Sequence, residues 1–306
     1  MEYQTTAEIA EKWGISERTV RSYCAAGKLP GAVCENGAWR IPETAVRPRR
    51  SNAKAPEPVT VLSALRTERR CHIGDRLYHW LQVNMTYNSN HMEGSTLTQE
   101  QTRYLFETNA VFPESAGGAV NANDVVETMN HFRCVDYVID MAEKPLTESV
   151  IKHLHLLLKG GTSDSREAWF AVGSYKKLSN SVGGRDTIPP GKVAEEMRGL
   201  LSWYEGLEKV CLEDLLEFHV RFERIHPFQD GNGRAGRLIL LKECLRYGIV
   251  PFVIGEDLKL FYYRGLAEWD QEKGYLTDTC LTAQDRFKKI LDDYGVPYEG
   301  NGEDSA

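Results

Sequence analysis

Two stretches of helical periodicity meet near residue 226. Apolar residues recur three and four positions apart up to Ile225, and Leu238, Leu241 and later leucines repeat in the same way beyond it. Pro227 ends the first stretch, because proline cannot continue a helix. The pattern therefore predicts a helix, a tight glycine-containing loop and a second helix that starts near Gly233.

Helical periodicity elsewhere predicts a mainly α-helical chain. The predicted helices cover residues 62–87, 97–106, 124–141, 146–158, 192–203, 212–225 and 257–269. The helical pattern stops between residues 169 and 190, where glycines and prolines predict a short β-hairpin, or flap. An ordinary surface hairpin is the alternative for this stretch. The small, polar residues of 296–306 predict a disordered tail.

Residues 1–47 form a separate module by the same criteria. Thr6 caps a first short helix, and a second helix starts at Glu17 and ends at Gly27. Residues 33–41 then read as a β-hairpin. The order of elements is a small winged helix-turn-helix.

This order of elements is typical of DNA-binding domains in which the second helix enters the major groove. Its outward-facing Arg18 and Arg21 are the predicted DNA-contacting residues. The first fifty residues carry eight Lys or Arg against six Glu, so a module that binds protein or only packs is the alternative. A module this small needs to dimerise for useful affinity, which predicts a homo-oligomer. A charged, proline-rich linker at 48–61 precedes the main domain at 62–295.

Composition limits the function classes. The chain has 306 residues, 42% of them hydrophobic, and a net charge of −7, which is unlike a protein that coats nucleic acid or binds membranes by charge. Its seven cysteines are scattered and contain no C-x-x-C pair, so we expect reduced thiols, no zinc site and a cytoplasmic protein. We expect neither a leader peptide nor a membrane-spanning helix, because no apolar run is long enough.

The loop near residue 226 gathers residues suited to phosphate binding. A helix N-terminus carries unpaired N–H groups and a partial positive charge, and Gly231 and Gly233 allow the backbone to approach a phosphate closely. Arg234 and Arg237 lie three residues apart on one helix face, and each can donate paired hydrogen bonds to phosphate oxygens. The pattern predicts an anion-binding loop.

Two further residues of this loop supply chemistry. His226 titrates near neutral pH and can accept a proton from a hydroxyl group. Asp230 offers a hard oxygen ligand for a Mg²⁺ ion that also contacts phosphates. Together they predict phosphoryl or nucleotidyl transfer from a Mg–nucleotide. A histidine that only caps a helix, an Asn-Gly hairpin turn and a calcium loop are the alternatives, and the last fails because Leu241 stands where that loop needs Glu.

The stretch from His226 to Arg237 resembles the signature of the Fic family, H-x-F-x-[DE]-G-N-G-R-x-x-R, at every fixed position. The resemblance implies a Fic-type helical bundle with a short β-hairpin flap that docks a target segment. It implies transfer of AMP from Mg-ATP to a Tyr, Thr or Ser hydroxyl of a target protein, or of the chain itself. The implied roles are a base at His226, a Mg²⁺ ligand at Asp230, an anion-binding loop at Gly231, Asn232, Gly233 and Arg234, and a phosphate ligand at Arg237.

Ser89 and Glu93 resemble the fixed positions of the Fic inhibitory motif, [ST]-x-x-x-E-[GN], here placed before the signature. The resemblance implies an inhibitory helix near 75–94, whose Glu93 forms a salt bridge to Arg237 and blocks the position of the γ-phosphate. An ordinary helix end is the alternative. The same resemblance places an aromatic side chain beside the adenine of ATP, for which Tyr263 is the candidate.

Residues 1–47 resemble the excisionase and MerR-like helix-turn-helix modules, through the run Gly27-Lys28-Leu29-Pro30-Gly31 and the run Trp39-Arg40-Ile41-Pro42. Three hypotheses of function follow. The first is a protein adenylyltransferase held inactive by Glu93. The second is a hydrolase of the same site, in which Glu93 positions water to remove AMP from a modified protein. The third is a DNA-binding regulator with a nucleotide-sensing or self-modifying Fic domain.

Overall fold

The chain folds into two units, residues 1–58 and 59–306, and each has its own hydrophobic core. The computed structural model describes residues 3–25, 27–35, 38–48, 59–113 and 119–298. Most of the predicted linker, residues 49–58, and the last part of the predicted tail, residues 299–306, therefore lie outside the described residues. The mainly α-helical class is confirmed. Within the described ranges, none of the helices combines the length and apolar character needed to cross a bilayer.

The first unit is a three-stranded antiparallel sheet with two helices. Its elements are β1 (Tyr3–Thr5), α1 (Thr6–Trp13), α2 (Glu17–Ala25), β2 (Val33–Glu35) and β3 (Ala38–Pro42), with the strands in the order β1-β3-β2. Strand β1 is absent from the sequence prediction, because three residues show no periodicity. Thr5, rather than the predicted Thr6, caps α1: its hydroxyl accepts from Glu8 N at 3.3 Å. The predicted hairpin tip, residues 36–37, lies outside the described residues.

The second unit is a helical bundle with one small hairpin. Its elements are α3 (Val61–Arg70), α4 (Leu77–Met92), α5 (Gln99–Thr108), α6 (Ala122–Met141), α7 (Glu148–Lys159), β4 (Ser181–Val182), β5 (Arg185–Asp186), α8 (Pro190–Glu205), α9 (Leu212–Ile225), α10 (Asn232–Tyr247), α11 (Lys259–Glu268) and α12 (Gly274–Tyr294). Short 3₁₀ turns cover Asp164–Arg166 and Glu256–Leu258.

Helix α10 is the central element of this bundle. Every residue from Arg234 to Leu245 is buried, and the helix contacts α4, α6, α7 and α9. A helix that is buried all round must be surrounded by other elements, so its direction and depth are fixed by packing. The loop that enters α10 is therefore held in place by the core of the unit.

Three predictions for this unit need correction. The predicted helix 62–87 is two helices, because His72 and Asp75 both adopt φ of 50° and turn the chain between α3 and α4. No helix is predicted after residue 269, yet α12 buries Leu276 and Phe287 in the core. The predicted disordered tail starts too early, because Val296 is buried and donates its N–H to the carbonyl of Leu291 at 2.8 Å.

Gly265 lies where α11 packs closely against the start of α12. A Cβ at this position would lie 2.6 Å from Leu276 Cα, which is backbone and cannot move aside. We expect Gly265→Ala to lower the free energy of unfolding by about 1–3 kcal/mol, as overpacking does. The matched control is Gly199→Ala in α8, where nothing lies within 4 Å and the exposed helix should gain up to about 1 kcal/mol. Chemical denaturation measures both, and a shift of the same sign in both would contradict this account.

Candidate active site

The α9–α10 loop begins and ends with a residue whose backbone is in the left-handed region, and one side-chain amide bridges it. His226 ends α9 with φ 50° and ψ 61°, and Gly231 starts α10 with φ 80°. The amide of Asn232 closes the loop: its Oδ1 accepts from Phe228 N at 2.8 Å, and its Nδ2 donates to Phe228 O at 2.9 Å. Both the oxygen and the nitrogen of that amide thus hold the loop closed, and the backbone N–H of Asn232 lies at the start of α10.

Phe228 anchors the loop in the core. Its ring is fully buried and stacks on the imidazole of His155, with centroids 3.9 Å apart and an angle of 3°. His155 also contacts the carbonyl of Asp230 through Nε2 at 3.1 Å and accepts from Gly173 N at 2.9 Å. Burial lowers the pKa of His155 to about 4, so it is a neutral structural residue at physiological pH.

His226 is held as a neutral imidazole. Its Nδ1 lies 3.2 Å from the carbonyl oxygen of Glu223, which favours the tautomer with the proton on Nδ1 and leaves Nε2 as the acceptor. Burial lowers its pKa below the ordinary value of 6.5, although the Glu223 carbonyl opposes this change. The uncharged form therefore predominates near pH 7.

Arg237 is buried and donates three hydrogen bonds to residues at the end of α4. Its Nη2 donates to Glu93 Oε1 at 2.7 Å and to the carbonyl of Ser89 at 2.9 Å, and its Nε donates to Ser89 Oγ at 3.0 Å. Burial alone would lower the pKa of Arg237, but the Glu93 carboxylate raises it above its usual range. Ser89, Glu93 and Arg237 thus meet in one charge-assisted cluster.

The Glu93 carboxylate lies over the start of α10. A Cβ at position 233 would lie only 2.3 Å from Glu93 Oε1, so any side chain there would displace the carboxylate from this position. The residue that starts this helix, Gly231, has no side chain that could cap it. A negative group therefore already stands where the partial charge of the helix favours an anion.

Asp230 belongs to a ring of four charged groups. Lys159 Nζ donates to Asp230 Oδ2 at 2.6 Å, and Arg234 Nη2 reaches the same oxygen at 3.4 Å. Glu127 joins the two cations from the other side, with Oε1 on Lys159 and Oε2 on Arg234. Burial alone would raise the pKa of Asp230, but Lys159 and Arg234 lower it to about 2.

The donor set at Asp230 fits a Mg²⁺ ion. The carboxylate is ionised, 48% of its side chain is exposed, and neither cation touches Oδ1. Mg²⁺ usually takes one or two carboxylates together with phosphate oxygens and waters, rather than a full cage of protein ligands. Asp230 would hold such an ion at the mouth of the loop.

Tyr263 is the exposed member of the tyrosine pair on α11. Tyr262 is buried, and its hydroxyl lies 2.6 Å from His219 Nε2. Tyr263 remains 38% exposed, and its hydroxyl donates to the carbonyl of Met92 at 3.4 Å. The ring of Tyr263 therefore lies beside the end of α4, next to Glu93, whereas Tyr262 belongs to the core.

In the first unit, the predicted DNA-contacting residues lie on the exposed face of α2. Arg18 and Arg21 are both exposed, and Val20 and Cys24 point into the core. Arg21 Nη2 also donates to Glu17 Oε1 at 2.7 Å. The face thus offers two cations, one of which is shared with a carboxylate of the same helix.

Comparison with known proteins agrees with both units. Residues 145–244 match the sequence model of the Fic/DOC family, and residues 5–47 match that of a helix-turn-helix domain. The chain contains a Fic/DOC domain, preceded by a helix-turn-helix domain. The Fic match includes the whole α9–α10 loop, whereas Ser89, Glu93 and Tyr263 lie outside the matched residues.

Curated relatives and solved structures extend this comparison. Protein adenylyltransferase Fic of Drosophila mojavensis is 27% identical over 188 residues, which cover 59% of this chain and 35% of the relative. Protein adenylyltransferase fic-1 of Caenorhabditis elegans is 25% identical, with 59% and 35% covered. The chain thus spans about a third of the length of these relatives. A Fic domain containing signaling protein from Bacteroides thetaiotaomicron VPI-5482 aligns with a TM-score of 0.56 and 27% identity, over 76% of this chain and 91% of that one.

The structure of a Fic family protein from Desulfovibrio desulfuricans G20 shows the same fold. It aligns with a TM-score of 0.57 and 23% identity, over 80% of this chain and 79% of that one.

The Fic domain holds its flap against the loop through a lysine that sequence reasoning missed. Lys176 N donates to the carbonyl of Pro227 at 2.8 Å. Lys176 Nζ donates to Asn180 Oδ1 at 2.7 Å and Thr187 Oγ1 at 2.5 Å, and lies 3.5 Å from the carbonyl of Ile225. Burial lowers the pKa of Lys176 to about 8. The hairpin β4–β5 is therefore tied to both ends of the His226 turn.

Three more charged groups of the Fic domain are absent from the sequence prediction. Glu127 and Lys159 complete the ring around Asp230, and Glu223 lies beneath His226 with Oε2 4.0 Å from Nδ1. Burial raises the pKa of Glu223 to about 8, so it is protonated at neutral pH. Glu127 and Lys159 lie on helices distant in sequence, and only the folded chain brings them to Asp230.

Proposed function

We propose that this protein is a Mg²⁺-dependent protein adenylyltransferase, which moves AMP from ATP to a Tyr, Thr or Ser hydroxyl of a target protein or of the chain itself. The α9–α10 loop carries the proposal, because it joins a neutral histidine, an ionised carboxylate and a helix N-terminus in one short turn. The names of the curated relatives support the same activity.

In the proposed reaction, Nε2 of His226 takes the proton of the target hydroxyl. The oxygen attacks the α-phosphorus of ATP, and the bond from that phosphorus to the oxygen bridging to the β-phosphate breaks. Pyrophosphate leaves with the electron pair of that bond. Positioning matters more here than covalent catalysis by the protein, because the nucleophile and the leaving group must stand in line.

The remaining residues bind the nucleotide in this proposal. Backbone N–H groups of Gly231, Asn232 and Gly233 and the guanidinium of Arg234 face the phosphates. Tyr263 stacks beside the adenine. Asp230 would hold a Mg²⁺ ion, which would supply positive charge against the phosphates when bound.

We further propose that Glu93 keeps the enzyme in a state of low activity. Arg237 has five N–H donors, and contacts at α4 already use three of them, the one on Nε and the two on Nη2. The γ-phosphate therefore competes with Glu93 for Arg237 and for the space above Gly233. ATP can still enter the rest of the loop, but its α-phosphate is not aligned for attack.

We expect Glu93→Gly to increase AMP transfer about 10- to 150-fold, which corresponds to a coupling of about 1.4–3 kcal/mol. The assay uses α-labelled ATP and cell lysate, and it follows labelled protein bands. Adding Arg237→Ala should cancel the increase, because the increase depends on Arg237 being released from Glu93 to bind the γ-phosphate. Adding His226→Ala should abolish transfer, since a positioned base contributes roughly 10²–10⁴-fold.

The matched control for this assay is Glu205→Gly, which makes the same change at the exposed end of α8. It should label at the wild-type rate. Equal labelling by wild type and Glu93→Gly would remove the inhibitory role. Faster loss of AMP from a modified protein in wild type than in Glu93→Gly would instead assign Glu93 to hydrolysis.

The lowered pKa of His226 predicts a pH profile. A lowered pKa keeps the imidazole neutral as the pH falls, so the acid limb of the transfer rate should lie below pH 6.5. In Glu93→Gly the limb should lie lower still, because the Glu93 charge raises the pKa of His226. Single-turnover rates of Glu93→Gly across pH, with ATP binding measured over the same range, check this. A limb above pH 6.5 would be inconsistent with the buried base.

A second proposed function is DNA binding by the helix-turn-helix domain, and the exposed arginines of α2 favour it. We expect the full-length protein to bind duplex DNA at low salt and to lose affinity as salt rises, because phosphate contacts release counterions. Arg18→Ala and Arg21→Ala should weaken binding, whereas Lys12→Ala on α1 makes the same charge change away from this face. Gel shifts over a salt series provide the test. Absence of binding by the full-length protein at low salt would favour a protein-binding role.

A further inference from the structure

The charge ring of Glu127, Lys159, Asp230 and Arg234 has no role in the proposed chemistry beyond Asp230 and Arg234 themselves. Lys159 and Glu127 lie on α7 and α6, whereas Asp230 and Arg234 belong to the catalytic loop and α10. Each member contacts two others of opposite charge. Two cations and two anions therefore balance one another inside the domain.

Burial differs sharply around the charge ring. The side chains of Lys159 and Arg234 are 2% and 4% exposed, and that of Glu127 is 16% exposed. Asp230, at 48%, is the member that opens to solvent. The ammonium of Lys159 is thus enclosed, with Glu127 on one side and Asp230 on the other.

Lys159 places its full positive charge beside the carboxylate that a free cation would seek. Its Nζ lies 2.6 Å from Asp230 Oδ2, and Arg234 approaches the same oxygen at 3.4 Å. A divalent cation at Oδ1 would meet two fixed positive charges in a partly buried setting, where screening by solvent is weak. The negative phosphates of a nucleotide would offset that repulsion.

We infer that Lys159, held by Glu127, is a built-in counter-cation of Asp230 that suppresses divalent-cation binding until a nucleotide supplies its phosphates. The inference rests on the proposed function only in taking Asp230 as the metal ligand. Lys159 is a positioning residue in this scheme, because it acts on the ion through Asp230. The consequence is an order of binding, in which the metal enters with the nucleotide rather than before it.

Titration of the nucleotide-free, full-length protein with Mn²⁺ tests the inference, with the signal of unbound Mn²⁺ followed by electron paramagnetic resonance. Lys159→Met should bind Mn²⁺ at least about tenfold more tightly than wild type, or about 1.4 kcal/mol. Adding Asp230→Asn should abolish the gain, which locates the bound ion. Lys152→Met on the same helix, which pairs with Glu148 and not with Asp230, should leave the Mn²⁺ affinity unchanged.

Removing a buried partner leaves Glu127 short of a cation, so folding is checked by thermal unfolding of each variant. Lys159→Gln keeps an amide that can bond Glu127 and removes only the charge, and it should show the same gain. Equal Mn²⁺ affinity in wild type and a folded Lys159 variant would overturn the inference, as would a gain that survives Asp230→Asn. Because the titration requires no AMP transfer, a protein without transferase activity could still show the gain, and the two failures are distinguishable.

Discussion

The buried guanidinium of Arg237 is the constraint on which the Fic domain's site depends. A charge removed from water needs an opposite charge and hydrogen bonds, and stripping one partner from a buried pair costs about 3–5 kcal/mol. Glu93 and Ser89 meet that need here. In the proposed function, a nucleotide whose γ-phosphate displaces Glu93 would have to supply an equivalent anion. The positive charge proposed to bind phosphate is the same charge that Glu93 neutralises in this structure.

The packing of the helical bundle sets the positions of the two arginines in the site. Helix α10 is buried along almost its whole length, so Arg234 and Arg237 enter the site from a backbone that packing holds still. The loop before it is closed by the amide of Asn232 and anchored by Phe228 on His155. The Glu93 side chain lies at the end of α4 and is 28% exposed, whereas that of Arg237 is 4% exposed. In the proposed competition, the more exposed carboxylate would be the group that gives way to a phosphate.

A feature of this structure can be predicted from the sequence when its contacts join residues that are close together in the chain. The α9–α10 loop follows from residues close together in the chain, so its helix, turn and helix were predictable, and α9 has the predicted bounds. The break at His72 and Asp75 was not, because it depends on left-handed backbone at residues other than glycine. Lys159 and Glu127 read as ordinary charged residues of amphipathic helices, and their contacts to Asp230 and Arg234 span 71 and 107 residues. Pattern analysis cannot bring such residues together, whereas the fold does.

The anchoring of the flap by Lys176 has a mechanical consequence. One buried ammonium bonds Asn180 and Thr187 on either side of the hairpin and also reaches the carbonyl of Ile225, the residue directly before His226. The hairpin and the backbone on both sides of His226 are therefore connected through one side chain and its backbone N–H. In the proposed function, a peptide that moved the hairpin as it docked would also move the backbone next to His226. Binding of the substrate segment and alignment of the proton acceptor would then be mechanically coupled.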